Sequence, residues 1–129
     1  MKTPKMLGDG RMRYVCNTFT LSMLPLPAVG EAKCHILVVH ALDPARARQW
    51  LLEGEFASAV GHEGAADLLS ALTGVEIPVQ RRQITLQPHD ELLVVQVLTR
   101  LPEGRVLTGD EMRQMWSEGK VQLLLVCVR

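Results

Sequence analysis

Three apolar runs limit what this chain can fold into: KCHILVVHAL (residues 33–42), ELLVVQVLTR (91–100) and KVQLLLVCVR (120–129). The first is β-branched and almost continuous in apolar residues, the composition of a central strand shielded on both faces. The last closes the chain as an interior strand. RMRYVCNTF (11–19) reads as a further strand ending near Asn17. RRQITLQ (81–87) reads as another, joined to the 91–100 run by a Pro-His-Asp turn.

Helix signals lie between the strands. Asp43 before Pro44 offers a capping oxygen and a ring suited to the first turn, predicting a helix over 43–53. In AVGHEGAADLLSALTG (59–74), Ala65, Leu68, Leu69 and Leu72 repeat at helical spacing and Gly74 supplies the stop. That predicts a helix from 62 to 73 with His62 as its first residue. TGDE (108–111) is a capping box, Thr108 with Glu111, opening a short helix to about Ser117. SMLPLPAVGEA (22–32) reads as an irregular connection, and residues 1–10 as a flexible leader or expression remnant. The expected fold is α/β: a single domain over 11–129, with a mixed β-sheet flanked by helices and no internal repeat.

Composition narrows the function classes. Hydrophobic residues make up 47% of the 129, which excludes a disordered chain, and with 4% aromatics the core must rest on Leu, Val, Ile, Ala and Met. Fourteen basic residues cancel fourteen acidic ones, which argues against non-specific binding to long duplexes yet leaves room for a small anionic ligand held by a few arginines. No apolar run reaches the roughly 18–20 residues of a membrane span. The start lacks the apolar stretch of a signal peptide. Three cysteines, an odd number, suit a reducing compartment. The expectation is a soluble, cytoplasmic protein.

His62 is the first candidate for chemistry. A helix N-terminus offers unpaired N–H groups and partial positive charge to a phosphate, and GHEG sets an imidazole there between two glycines that let a ligand approach the backbone. The helix end opposes the imidazolium while a bound phosphate favours it. The bland reading is an exposed histidine near a cap, with no task. Alternation in 91–100 sets Gln96, Leu98 and Arg100 on one face, where Arg100 suits phosphate oxygens and Gln96 a base or ribose edge. Glu103 follows in LPEGR; equally, this is a strand leaving the core with solvated ends. Arg81 and Arg82, adjacent at a strand start, point to opposite faces. NTFTLS (17–22) supplies Asn17 and Thr20 at a strand end, where α/β proteins often bind ligands and where ordinary turns are common too. His35, His40, His62 and His89 show no metal-ligand spacing, and there is no P-loop, GxGxxG or GxSxG. Cys16 and Cys34 read as buried thiols.

YVCNTFTLSML, SAVGHE, VVQVLTRLPEGRVLTGDEM and SEGKVQLLLVCVR occur in this order, and together they resemble the viral ring nucleases, anti-CRISPR proteins that destroy cyclic tetra-adenylate. The resemblance spans all but residues 1–10 and 25–55. It implies a homodimer that holds the cyclic tetranucleotide on its two-fold axis. It also implies a metal-independent hydrolase, without cofactor, that releases linear di-adenylate with 2′,3′-cyclic phosphate ends and so switches off type III CRISPR signalling. On that resemblance His62 matches the catalytic histidine that protonates the departing 5′ oxygen. Arg100 and Glu103 match active-site positions, and Asn17, Thr20, Arg81 and Gln96 match ligand-binding ones. Thr20 stands where relatives have serine. The other readings are a protein that sequesters cyclic oligoadenylate without cutting it, and a structural or regulatory viral protein.

Overall fold

The computed structural model describes residues 11–99 and 107–129. Its strands are β1 (Arg13–Cys16), β2 (Leu37–Leu42), β3 (Ala57–Ser58), β4 (Glu91–Val97) and β5 (Val121–Val128). Its helices are α1 (Pro44–Leu52), α2 (Glu63–Thr73) and α3 (Gly109–Ser117), with a 3-10 turn at Leu21–Met23. The expected leader, residues 1–10, lies outside the described residues.

The strands form one mixed sheet in the order β2-β5-β4-β1-β3. β1 runs parallel to both β3 and β4, with Val15 beside Ser58 and Leu93. β5 runs antiparallel to β4 and β2, from Val97 opposite Val121 to Leu37 opposite Val128. The α/β, single-domain, mixed-sheet expectation therefore stands, and the 120–129 run is interior as read. Alternation explains why Leu92 to Val95 are all buried: both faces are covered. Val15, Leu93, Val95, Val121 and Leu123 meet α1, α2 and α3 through Trp50, Leu51, Leu68, Leu69 and Met112. Cys16, Leu92, Val94, Val126 and Val128 meet Leu24, Ile84 and Leu86 from the connections. Each such Leu or Val contributes about 1.5–3 kcal/mol by leaving water.

Two strand expectations need correction. The 33–42 run is not central. β2 pairs only with β5, at the sheet's edge, and Ile36 and Val39 remain 61% and 54% exposed. Apolar composition records how readily a strand sheds water and says nothing of how many neighbours it has. The 81–87 segment keeps the alternation of a strand, with Ile84 and Leu86 buried, but joins no ladder. Its surroundings bond singly to different partners: Gln80 N–H donates to Val60 C=O and Leu86 N–H to Met23 C=O. Side chains, not backbone pairing, hold it on the sheet. Arg81 and Arg82 therefore do not begin a strand.

Local capping sets the helix ends. Asp43 accepts from Arg46 N–H at 2.7 Å ahead of Pro44. Thr108 and Glu111 close the reciprocal box at 3.2 Å each way. Gly74 ends α2 at φ 70°, a left-handed position suited to glycine.

Candidate functional site

Because β3, β1 and β4 are parallel, their C-terminal ends lie along one margin of the sheet, the usual address for ligands in α/β folds. The chain leaves β3 for α2 there, leaves β1 at Asn17, and reaches Gln96 near the end of β4.

Gly61 is the meeting point. Its N–H donates to Asn17 Oδ1 at 3.1 Å, and its carbonyl accepts from Arg81 Nε at 3.3 Å. His62 follows at once. It is the N-cap of α2 rather than its first helical residue, with extended backbone at φ −121° and ψ 115°. The correction has a chemical consequence. A cap accepts from the helix, and here imidazole Nδ1 accepts from Ala65 N–H at 3.0 Å. An accepting Nδ1 leaves the ring proton on Nε2, so the side chain presents a donor at its far nitrogen. Three of the residues expected from sequence, Asn17, His62 and Arg81, are thus tied to one dipeptide. His62 is half-buried and Arg81 exposed.

The glycines around His62 also serve packing. The space that a Cβ would take at each is filled by the chain itself. A Cβ on Gly64 would stand 2.4 Å from Leu107 C=O and 2.9 Å from His62 Cε1; one on Gly61 would stand 2.8 Å from Arg81 Cγ. Gly64 lets the first turn of α2 press against the Leu107–Thr108 backbone, and Gly61 lets the Arg81 stem lie across the turn. Leu107 and Thr108 were not readable as site neighbours. The available hint was Gly64 itself, since glycine inside a helix is unfavourable unless something comes close. Alongside is a cavity of about 310 Å³ lined by Glu63, Gly64, Asp67, Leu107, Thr108 and Gly109. Its two carboxylates disfavour a phosphate there, so the groups suited to an anion are the His62 ring and Arg81.

The remaining candidates are less closely joined. Gln96 stands on the sheet face away from the helices, opposite Gln122, and its Nε2 donates to Val97 C=O at 3.0 Å. Thr20 is exposed, its hydroxyl 3.0 Å from Ser22 Oγ. Arg100 and Glu103 lie outside the described residues, and β4 itself ends at Val97. Cys16, directly before Asn17, is buried, with its thiol pushed up to about 11 by burial, so it remains protonated near neutral pH. Cys34 is exposed, contrary to the buried thiol expected: it precedes β2 in the irregular connection, outside both cores. Among the described residues no group of three His, Cys, Asp or Glu is arranged to hold a metal ion, and no helix is long and apolar enough to cross a membrane.

A family model described as STIV B116-like matches residues 13–121. The uncharacterized protein 26 of Sulfolobus islandicus filamentous virus is 37% identical over 105 residues, 81% of this chain and 84% of the viral protein. ORF117 of Acidianus two-tailed virus is 36% identical over 90 residues, 69% of this chain and 76% of that one. The solved structure of B116 of Sulfolobus turreted icosahedral virus shares the fold, with a TM-score of 0.63 at 24% identity, over 89% of this chain and 97% of that one.

Proposed function

The chain belongs to the STIV B116-like family, carried by archaeal viruses, and on that premise we propose that it is a metal-independent ring nuclease that cuts cyclic tetra-adenylate into linear di-adenylate with 2′,3′-cyclic phosphate ends. The motif resemblance in the sequence suggests the substrate. The observation that carries the chemistry is the junction at Gly61, which fixes an imidazole with its Nε2 proton available, an arginine stem and an amide side chain at the end of parallel strands.

The reaction needs little from the protein. The substrate's own 2′ hydroxyl attacks the adjacent phosphorus in line and loses its proton to solvent. The bond from phosphorus to the 5′ oxygen breaks, and that oxygen takes the Nε2 proton of a His62 imidazolium, whose Nδ1 has taken a proton from solvent and released Ala65 N–H, leaving the ring neutral again. Holding the ribose in line is worth several kcal/mol of the roughly 7–11 available from orientation. Arg81 opposes the charge growing on the phosphoryl oxygens. Asn17 keeps the Gly61–His62 turn in place. Arg100 and Glu103 keep the active-site roles, and Thr20 and Gln96 the binding roles, that the resemblance gives them. The working unit is an isologous homodimer, since a ring of four nucleotides presents the same half to each subunit. Its effect is to silence type III CRISPR signalling in the infected cell.

The test is incubation with cyclic tri-, tetra- and hexa-adenylate in EDTA, followed by separation of products. Cyclic tetra-adenylate is expected to yield linear di-adenylate, and His62→Ala to slow this at least about a hundredfold. Unimpaired cleavage by that variant removes His62 from the mechanism. Tight binding with intact ligand after long incubation replaces the nuclease with a sequestering protein.

A further inference from the structure

The other end of the sheet, where β1 and β4 begin and β5 finishes, has a cavity of about 300 Å³ lined by Arg11, His89, Glu91, Cys127, Val128 and Arg129. We propose that this cavity is a second anion site, separate from the His62 margin, that takes a phosphate group carried on a molecule no larger than a mononucleotide.

Asp90 assembles it. This buried carboxylate accepts from Met12 N–H at 2.8 Å and from Gln87 N–H at 2.9 Å, while its own carbonyl accepts from Val128 N–H at 3.0 Å. Those bonds fix the chain beside three basic residues. Met12 adjoins Arg11, Asp90 adjoins His89, and Val128 adjoins Arg129. His89 is held more tightly still, donating its N–H to Val128 C=O at 2.7 Å and standing at φ 76°. Among the described residues it is the only non-glycine with positive φ. That backbone belongs to the Gln87–Asp90 turn, with Pro88 and His89 at its centre and Asp90 N–H donating to Gln87 C=O at 3.0 Å, so the turn fixes where His89 stands.

The charges then sort themselves. Two arginines and a histidine share the lining with one acidic side chain, Glu91. That carboxylate is already engaged: Oε1 accepts from Trp50 Nε1 at 2.9 Å, and Oε2 accepts from Arg11 Nη1 at 3.2 Å and from the Cys127 thiol at 3.8 Å. Its repulsion toward an incoming anion is therefore blunted, and it fixes the Arg11 fork. Burial and Glu91 push the Cys127 thiol up, while Arg129 and Arg11 pull it down. Both arginines thus stand near the same sulfur, and the thiol stays protonated, adding no negative charge. What remains is a recess lined by more basic side chains than acidic ones, with guanidinium and imidazole groups, the set that suits tetrahedral oxyanions. The volume is at the lower end for small-molecule sites, which sets the size limit.

The experiment titrates full-length ¹⁵N-labelled protein with inorganic phosphate and, separately, with AMP, at constant ionic strength balanced with sodium chloride. Saturable shifts of the His89, Cys127, Val128 and Arg129 amides are expected. AMP saturating at least tenfold lower than phosphate assigns the site to nucleotides; equal affinities assign it to free phosphate. Arg129→Gln and His89→Gly should each weaken binding about tenfold, the latter while relieving the backbone, and His62→Ala should leave it unchanged. Variant spectra that retain wild-type shifts elsewhere establish that the fold is intact. Shifts that chloride reproduces, or affinities untouched by Arg129→Gln, overturn the proposal.

Discussion

His62 does two jobs through two nitrogens, and they can be separated. Nδ1 of the neutral ring caps α2, and the proposed cleavage asks the imidazolium form for the proton on Nε2. His62→Asn keeps a good capping oxygen and loses the acid, so thermal stability should stay within about 0.5 kcal/mol of wild type while cleavage falls at least a hundredfold. A variant that loses both, measured by calorimetry beside the ring-cleavage assay, would mean that the two roles are inseparable. The two glycines make a similar contrast. Gly64→Ala drives a methyl into the Leu107 and Thr108 backbone and should destabilise by about 1–3 kcal/mol in urea unfolding. Gly61→Ala meets only the Arg81 stem, which can swing away, so stability should hold while ligand affinity drops. The local pattern of an imidazole between glycines at a helix start made His62 visible as a candidate, and the motif resemblance gave it a role. Sequence could not reveal what fills the space beside those glycines. Leu107 is more than forty residues away, and a missing Cβ shows only that something comes close.

At the scale of elements, what was legible followed the range of the forces. Helix ends are decided within four residues, by Asp43, Gly74 and the Thr108–Glu111 box, and the expected limits match α1, α2 and α3 to within about a residue. Thr108→Ala should accordingly cost about 1 kcal/mol, read from the urea midpoint. If the loss is negligible, α3 is held by Met112 and its packing alone. Strand order was not legible in the same way. β2 looks central because Leu37, Val38 and Val39 are apolar, yet its position depends on β5, some eighty residues later. β3 has two residues, too few for any alternation to show. Around 81–87 the alternation is real and the ladder is not, since period-two burial needs only one buried face.

For the whole molecule, the sheet separates two chemical ends. The margin with His62 gathers the ends of β1, β3 and β4; the margin with Asp90 gathers the beginnings of β1 and β4 and the end of β5. The proposed nuclease requires a partner copy, so sedimentation equilibrium should return twice the chain mass at micromolar concentration. A strict monomer would leave half of the ring unheld and the reading untenable. The strand order bears also on how the sheet is completed. Of the five described strands β5 comes last in sequence, and it fills the slot between β2 and β4. Until it pairs, β2 has no backbone partner, and β4 exposes the side that Val121 to Cys127 will later occupy. Without β5 the described strands fall into two pieces, β2 alone and β4-β1-β3, and one late segment is what makes them a single sheet.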